Sequence, residues 1–271
     1  MGFESAGFSR AVRFLPPPPI RARSSRPGRV DLHILPQRYN SGVVDFYEEW
    51  YDNLVAHSNE KGLLVEKISD LLKGKLHEDC LEIGLGTSAY FSERLGSFFR
   101  DYWIIEKNEF KQPLNGNVTF IRGDFEEYPF GKRFDVILAS HVVYYFKDLP
   151  KTTKKIIALL KENGHAYFVV NGKESDYGPI KNAFAGLIDK PYTFTYDILR
   201  AELKDFKVRE YTTQASLSFS SYGDLYETLK LSFDLYPTEY AANKDKVIEW
   251  LKANVKGDKF FIDQKIIEVI K

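Results

Sequence analysis

From Gly42 onward apolar residues fall at regular intervals. Val43, Phe46, Tyr47, Trp50, Tyr51 and Leu54 recur every three or four positions, the spacing of one face of an α-helix, and a second helix is predicted from about Leu63 to Leu72. The period then changes. Asp79–Ile83 is a short apolar run that leads into Gly84-Leu85-Gly86, and a helical stretch follows from Ser88 to Leu95. Tyr102–Ile105, Val118–Ile121, Phe134–Ala139 and His165–Val170 are further runs of this kind, with helices predicted over Leu149–Leu160 and Ile180–Ile188. Runs without alternation suit strands covered on both faces. Beyond Tyr196–Leu203 the chain reads as a strand over Lys207–Phe219, helices over Tyr222–Asp234 and Lys244–Val255, and a last strand over Phe260–Ile270. Strands alternating with helices predict an α/β fold with a doubly wound, mostly parallel sheet, preceded by N-terminal helices and carrying a helical insertion before its last strand.

Residues 1–40 follow different rules. They hold seven arginines, no lysine, and only Glu4 and Asp31 as acids, around a run of prolines from Pro16 to Pro19. Proline removes donors and fixes φ while the like charges repel, so this extension is expected to be disordered, with the domain spanning 41–271. Its Arg- and Ser-rich, acid-poor character suits an organellar transit peptide or an unrelated added leader. The remainder carries 31 basic and 36 acidic residues, a net charge of −5, which disfavours a nucleic-acid partner. Apolar runs stop well short of the roughly 18 residues a membrane span needs, so no membrane partner is expected. Cys80 is the sole cysteine, which excludes an internal disulfide and a cysteine-based zinc site. No metal is called for, and the expected setting is the cytoplasm, with a monomer or weak dimer.

The chemistry concentrates where strands end. A strand feeding Gly84-Leu85-Gly86 and then a helix lets backbone amides approach a ligand closely, because a side chain at either glycine would block the way. Glu82 precedes the turn, Glu106 follows the second strand 24 residues later, and Asp124-Phe125 follows the third. A carboxylate at the second position suits a pair of ribose hydroxyls, and an acid beside an apolar ring suits an adenine amino group and face. Together these residues resemble the class I S-adenosylmethionine-dependent methyltransferases. The resemblance implies a Rossmann-like fold and a cofactor site made of Glu82, Gly84, Leu85, Gly86, Glu106, Lys107, Asp124, Phe125 and Ser140, with S-adenosylmethionine as cofactor.

A closer resemblance lies outside that half. Tyr47 to Gly62, with His57-Ser58-Asn59-Glu60, and Tyr144-Tyr145-Phe146-Lys147-Asp148-Leu149-Pro150 are similar to the histamine N-methyltransferases. That resemblance implies a small-molecule amine substrate, an amine-binding Glu60, and a family glutamine replaced by His141. It also implies a family asparagine replaced by Asp263 and aromatic walls at Tyr47 and Tyr144. Glu60 and His141 then carry the catalysis. Carboxylates hold an ammonium, and a neutral imidazole can take its proton. An RNA or protein methyltransferase, and a non-catalytic protein that binds S-adenosylmethionine, stay open as other readings of the same residues.

Overall fold

The computed structural model describes Arg13–Leu15 along the backbone and residues 44–114, 116–190 and 192–271, with side chains from Glu48 onward. The chain after residue 43 runs through α1 (Val44–His57), α2 (Glu60–Leu72), β2 (His77–Ile83), α3 (Tyr90–Leu95), β3 (Phe99–Glu106), β4 (Val118–Arg122) and β5 (Phe134–Ser140). It continues through α4 (Leu149–Ala158), β6 (Leu160–Asn171), α5 (Tyr177–Leu187), α6 (Thr195–Glu202) and β7 (Lys207–Ser218). The helices α7 (Tyr222–Thr228), α8 (Pro237–Ala242) and α9 (Lys244–Asn254) then precede the last strand, β8 (Lys259–Ile270).

Arg13–Leu15 forms the short strand β1, paired in parallel with Thr119–Ile121. This departs from the expectation that residues 1–40 contribute no element. The rest of that segment lies outside the described residues.

The sheet has the order β1-β4-β3-β2-β5-β6-β8-β7, and β8 runs antiparallel to both its neighbours while the other pairings are parallel. From β2 the chain steps outward through β3 and β4, then returns to place β5 on the other side of β2. This reversal opens a crevice at the carboxyl ends of β2 and β5, where ligands of doubly wound sheets bind. Central strands are covered on both faces: Cys80–Ile83 and Val136–Ala139 are all buried, and apart from Glu82 all are apolar. Leu64, Ile68 and Leu72 of α2 close one face with Phe91 and Leu95 of α3, and Ile156, Leu199 and Leu203 from α4 and α6 close the other. A third apolar cluster joins α5 and α7–α9 to the ends of β7 and β8 through Phe184, Leu225, Leu251 and Phe260.

Local chemistry explains two of the helix starts. Asp148 caps α4 by accepting from the Lys151 amide at 3.0 Å, with Pro150 in the first turn, and Ser221 caps α7 through the Asp224 amide at 3.1 Å. Three features differ from the sequence expectation. The helix expected over Tyr222–Asp234 tightens to a 3₁₀ turn at Leu229–Phe233, and α8 has no sequence signal, since Tyr240 is the one buried residue in its six. Strand β6 starts earlier than its apolar run, because its register on β5 shifts between Phe134 and Val136. Among the described residues no helix is long and apolar enough to cross a membrane.

Candidate functional site

The turn after β2 is built so that only glycine fits. Gly84 and Gly86 have φ of +77° and +65°. A Cβ on Gly84 would lie 2.8 Å from Val142 Cγ2, and one on Gly86 would lie 2.9 Å from the Tyr51 hydroxyl. The close approach of Gly84 to Val142 brings the β2 turn against the loop after β5. Glu106, 6% exposed at the end of β3, organises this turn. Its Oε2 accepts from the Leu85 amide at 2.7 Å and the Gly86 amide at 3.3 Å, and its Oε1 accepts from Asn108 at 2.8 Å. A carboxylate offers about four acceptor positions, so one is left for a ligand hydroxyl.

Glu82 stands on the strand side of the turn, 4% exposed, and accepts from the Tyr102 hydroxyl at 3.0 Å. Burial pushes its carboxyl up to about 8, against the opposing pull of the Tyr102 hydrogen bond and Lys61. Asp124, after β4, folds onto its own loop. Its Oδ1 accepts from the Glu126 amide at 2.9 Å, and Oδ2 lies 3.0 Å from Lys147 Nζ and 3.3 Å from Lys107 Nζ. Burial would raise its carboxyl, but the Lys147 and Glu126 hydrogen bonds and the Lys107 charge hold it below the usual range. That loop is fastened in both directions. Lys155 donates to the carbonyls of Phe125, Glu126 and Tyr128 at 2.6, 3.2 and 2.8 Å, while Glu126 accepts from the Lys147 and Asp148 amides at 2.9 and 3.1 Å.

A second group gathers across the crevice. The α1–α2 turn is pinned to β7 through Asn59, whose Oδ1 accepts from the Ser216 amide at 2.8 Å, and this places Glu60 at the start of α2. Glu60 Oε2 accepts from Gln264 Nε2 at 2.8 Å, and Oε1 lies 3.2 Å from His141 Nε2, a contact without the alignment of a hydrogen bond. Burial acts to raise the Glu60 carboxyl, and His141 together with Lys61 outweighs it, so the group is held below its usual range as a carboxylate. His141 has φ +51°, a conformation non-glycine residues rarely adopt, and it turns the chain sharply out of β5. Its Nδ1 lies 3.4 Å from the Tyr144 hydroxyl, which accepts from the Asn171 amide at 2.7 Å. Among the described residues, buried His141 Nε2, Asn171 Oδ1 and Gln264 Oε1 have no hydrogen-bond partner.

Residues 55–207 match the family model described as a methyltransferase domain. The chain belongs to the methyltransferase domain family. A malonyl-[acyl-carrier protein] O-methyltransferase of Calditerrivibrio nitroreducens is 25% identical over 212 residues, 78% of this chain and 80% of the relative. Among solved structures, a candidate methyltransferase of Bacillus halodurans superimposes with a TM-score of 0.54 at 14% identity, covering 76% of this chain and 98% of its own. The YcgJ protein of Bacillus subtilis gives 0.53 at 13% identity over 76% and 97%. Both structural likenesses show the shared fold. The protein is an S-adenosylmethionine-dependent methyltransferase. Its residues fit that cofactor: the turn after β2 admits only glycine, which allows close backbone approach, and Glu106 beside it keeps one acceptor position free.

In this methyltransferase Glu82, Gly84, Leu85, Gly86 and Glu106 gather about the turn after β2, Ser140 ends the adjacent β5, and Lys107 pairs with Asp124 beyond β3 and β4. Phe125 does not join them as an open ring face. It is 5% exposed in the core, 5.8 Å from Phe130 and 6.2 Å from Phe146 between ring centres. Glu60, His141 and Tyr144 come together, but Asp263 does not. Its Oδ1 accepts from Ser175 Oγ at 2.7 Å and Gln214 Nε2 at 3.1 Å on the opposite face of β8. Successive strand residues point to opposite faces, so Gln264 and not Asp263 meets Glu60. Tyr47 lies on α1, and its side chain is outside the described residues. Sequence reasoning missed Gln264, Asn171 and Lys61. The amide at 264 was readable only with the register of β8, one residue from the position expected.

Proposed function

We propose that the methyltransferase moves the methyl group to the nitrogen of a small amine. The observation that carries this reading is Glu60, a carboxylate held in its charged form between Gln264 and His141, with the buried side-chain oxygens of Asn171 and Gln264 left without hydrogen-bond partners. A pocket of acceptors and negative charge takes a cation rich in N–H donors. A carboxylate acceptor, such as the malonyl relative's name describes, would face Glu60 directly and be repelled.

Bound S-adenosylmethionine supplies an electrophilic methyl on a sulfonium. The protein's part is to hold the acceptor in line with it, exclude water and remove one proton. Glu60 binds the ammonium form and fixes its direction. The proton is received at His141 Nε2, the ring atom 3.2 Å from Glu60 Oε1, and the imidazolium that results is stabilised by that carboxylate. His141 is steadied from its other side by Tyr144, itself fixed to the Asn171 amide. Calorimetry on protein loaded with S-adenosylhomocysteine tests the reading: a panel of imidazole-bearing, aromatic and aliphatic amines should contain binders that Glu60→Gln weakens about ten- to a hundred-fold. Binding of acyl carboxylates in place of amines would refute it.

A further inference from the structure

Strand β7 ends the sheet, and Ser216 shows which of its residues face outward. The Ser216 amide donates to Asn59 Oδ1 at 2.8 Å and its carbonyl accepts from the Asn59 amide at 3.3 Å, both on the side away from β8. In an antiparallel ladder alternate residues turn both backbone groups to the same side. Val208, Glu210, Thr212 and Gln214 therefore present their amides and carbonyls outward with Ser216, while the residues between them serve the pairing with β8. Phe219 agrees, since its amide donates inward to the Asp258 carbonyl at 3.2 Å. Among the described residues no hydrogen bond reaches the outward groups of those four, and neither a proline nor a break in register interrupts the stretch.

The same edge already takes an added strand at its other end, where the α1–α2 turn lays Ser58 antiparallel against Leu217. An open edge is a template for a further strand, and charged side chains are a common device that blocks it. Here the charges are turned aside. Glu210 lies on the α6 face, where its carboxylate accepts from the Tyr196 hydroxyl at 2.7 Å and stands 2.6 Å from Arg200 Nε. Arg209 is on the opposite face, 3.9 Å from Glu268.

We propose that this edge joins a second copy of the chain, β7 to β7, antiparallel about a two-fold axis at Tyr211. Tyr211 then faces Tyr211 of the other copy, Val208 meets Gln214, Glu210 meets Thr212, and Arg209 meets Thr213. Every open group finds a partner, since four residues with one donor and one acceptor apiece on each copy make eight bonds. No like charges stand opposite one another. An axis at Arg209 or Glu210 would set that residue against its own charge. One at Thr212 or Thr213 would set Val208 or Glu210 against Ser216, whose groups already serve Asn59. The contact is isologous and closes at two copies. Its area is that of one strand pair, so the dimer is weak and reversible. The inference is independent of which acceptor the enzyme uses.

Sedimentation equilibrium of the full chain at concentrations up to about 1 mM tests the contact, and wild type should show a reversible monomer–dimer equilibrium. Thr212→Pro removes an outward amide and leaves the pairing with β8 in place, so it should weaken dimerisation about tenfold or more. Register is read by cross-linking. Opposed residues of a non-hydrogen-bonded pair hold their Cβ atoms about 4.5–5.5 Å apart, so Arg209→Cys and Thr213→Cys chains mixed under mild oxidation should form a disulfide-linked pair. Neither variant should do so alone, and Cys80 is buried and does not compete. Monomer at every concentration, a dimer that Thr212→Pro leaves unchanged, or a mixture that links no better than its separate components would overturn the proposal. The cross-link is formed in chains without the proline, so a loss of stability in Thr212→Pro does not decide the outcome.

Discussion

Glu60 Oε2 accepts a hydrogen bond from Gln264 Nε2 at 2.8 Å, joining residues 204 positions apart across the carboxyl end of the sheet. The bond couples the start of α2 to the strand β8 and leaves Gln264 Oε1 buried without a partner. Gln264→Leu should therefore raise the KM for the amine about ten-fold or more, with cofactor affinity within about twofold of wild type. Asp263→Ala, one residue away on the other face, should leave the KM unchanged and cost about 1 kcal/mol of stability through its lost bonds to Ser175 and Gln214. Steady-state kinetics on the two variants separates the faces.

Glu106 is expected to act on both stability and cofactor binding. Glu106→Ala strips acceptors from the amides of Leu85, Gly86 and Asn108, so the melting temperature should fall and affinity for S-adenosylhomocysteine should weaken about ten- to a hundred-fold. Unchanged affinity in calorimetry would show that the carboxylate only shapes the turn.

The raised Glu82 carboxyl makes stability depend on pH. Its value moves from 4.5 to about 8 on folding, so the folded protein prefers the neutral form. The contribution is fully present below about pH 4.5 and is lost as pH rises through about 8, because ionisation is then favoured in the unfolded chain. Denaturant melts between these limits should show wild type losing stability relative to Glu82→Gln as pH rises.

Lys155 gives a fourth expectation. Lys155→Met removes the three carbonyl contacts that hold the Asp124 loop, which should cost about 1.5–3 kcal/mol of stability. The acceptor half is untouched, so cofactor affinity should drop while the amine KM at saturating cofactor stays near wild type.

Much of the fold is legible because its signals are local. Cys80–Ile83 reads as a buried strand, the two glycines with positive φ stand where a turn must come, and acids after β3 and β4 occupy the expected ends. What the sequence hides depends on neighbours distant along the chain. The face presented by Asp263 or Gln264 depends on the twelve-residue pairing of β8 with β7, and a slip of one residue exchanges them. Phe125 looks like an open ring until Phe130 and Phe146 close around it. Lys61 is one lysine among many until α1, α3 and the turn before α3 place Tyr51, Tyr90 and Ser88 about its ammonium. Three residues of the arginine-rich segment extend the sheet as β1, although nothing in their composition announces a strand.

The central claim is that the methyl group goes to an amine nitrogen opposite Glu60. Its most direct test is transfer of an isotopically labelled methyl from S-adenosylmethionine in a competition between small amines and a malonyl thioester, with products resolved by mass spectrometry and magnetic resonance. The account predicts an N-methyl product, lost or reduced about ten- to a hundred-fold in Glu60→Gln. A methyl ester as the sole product, formed equally well by that variant, would contradict it.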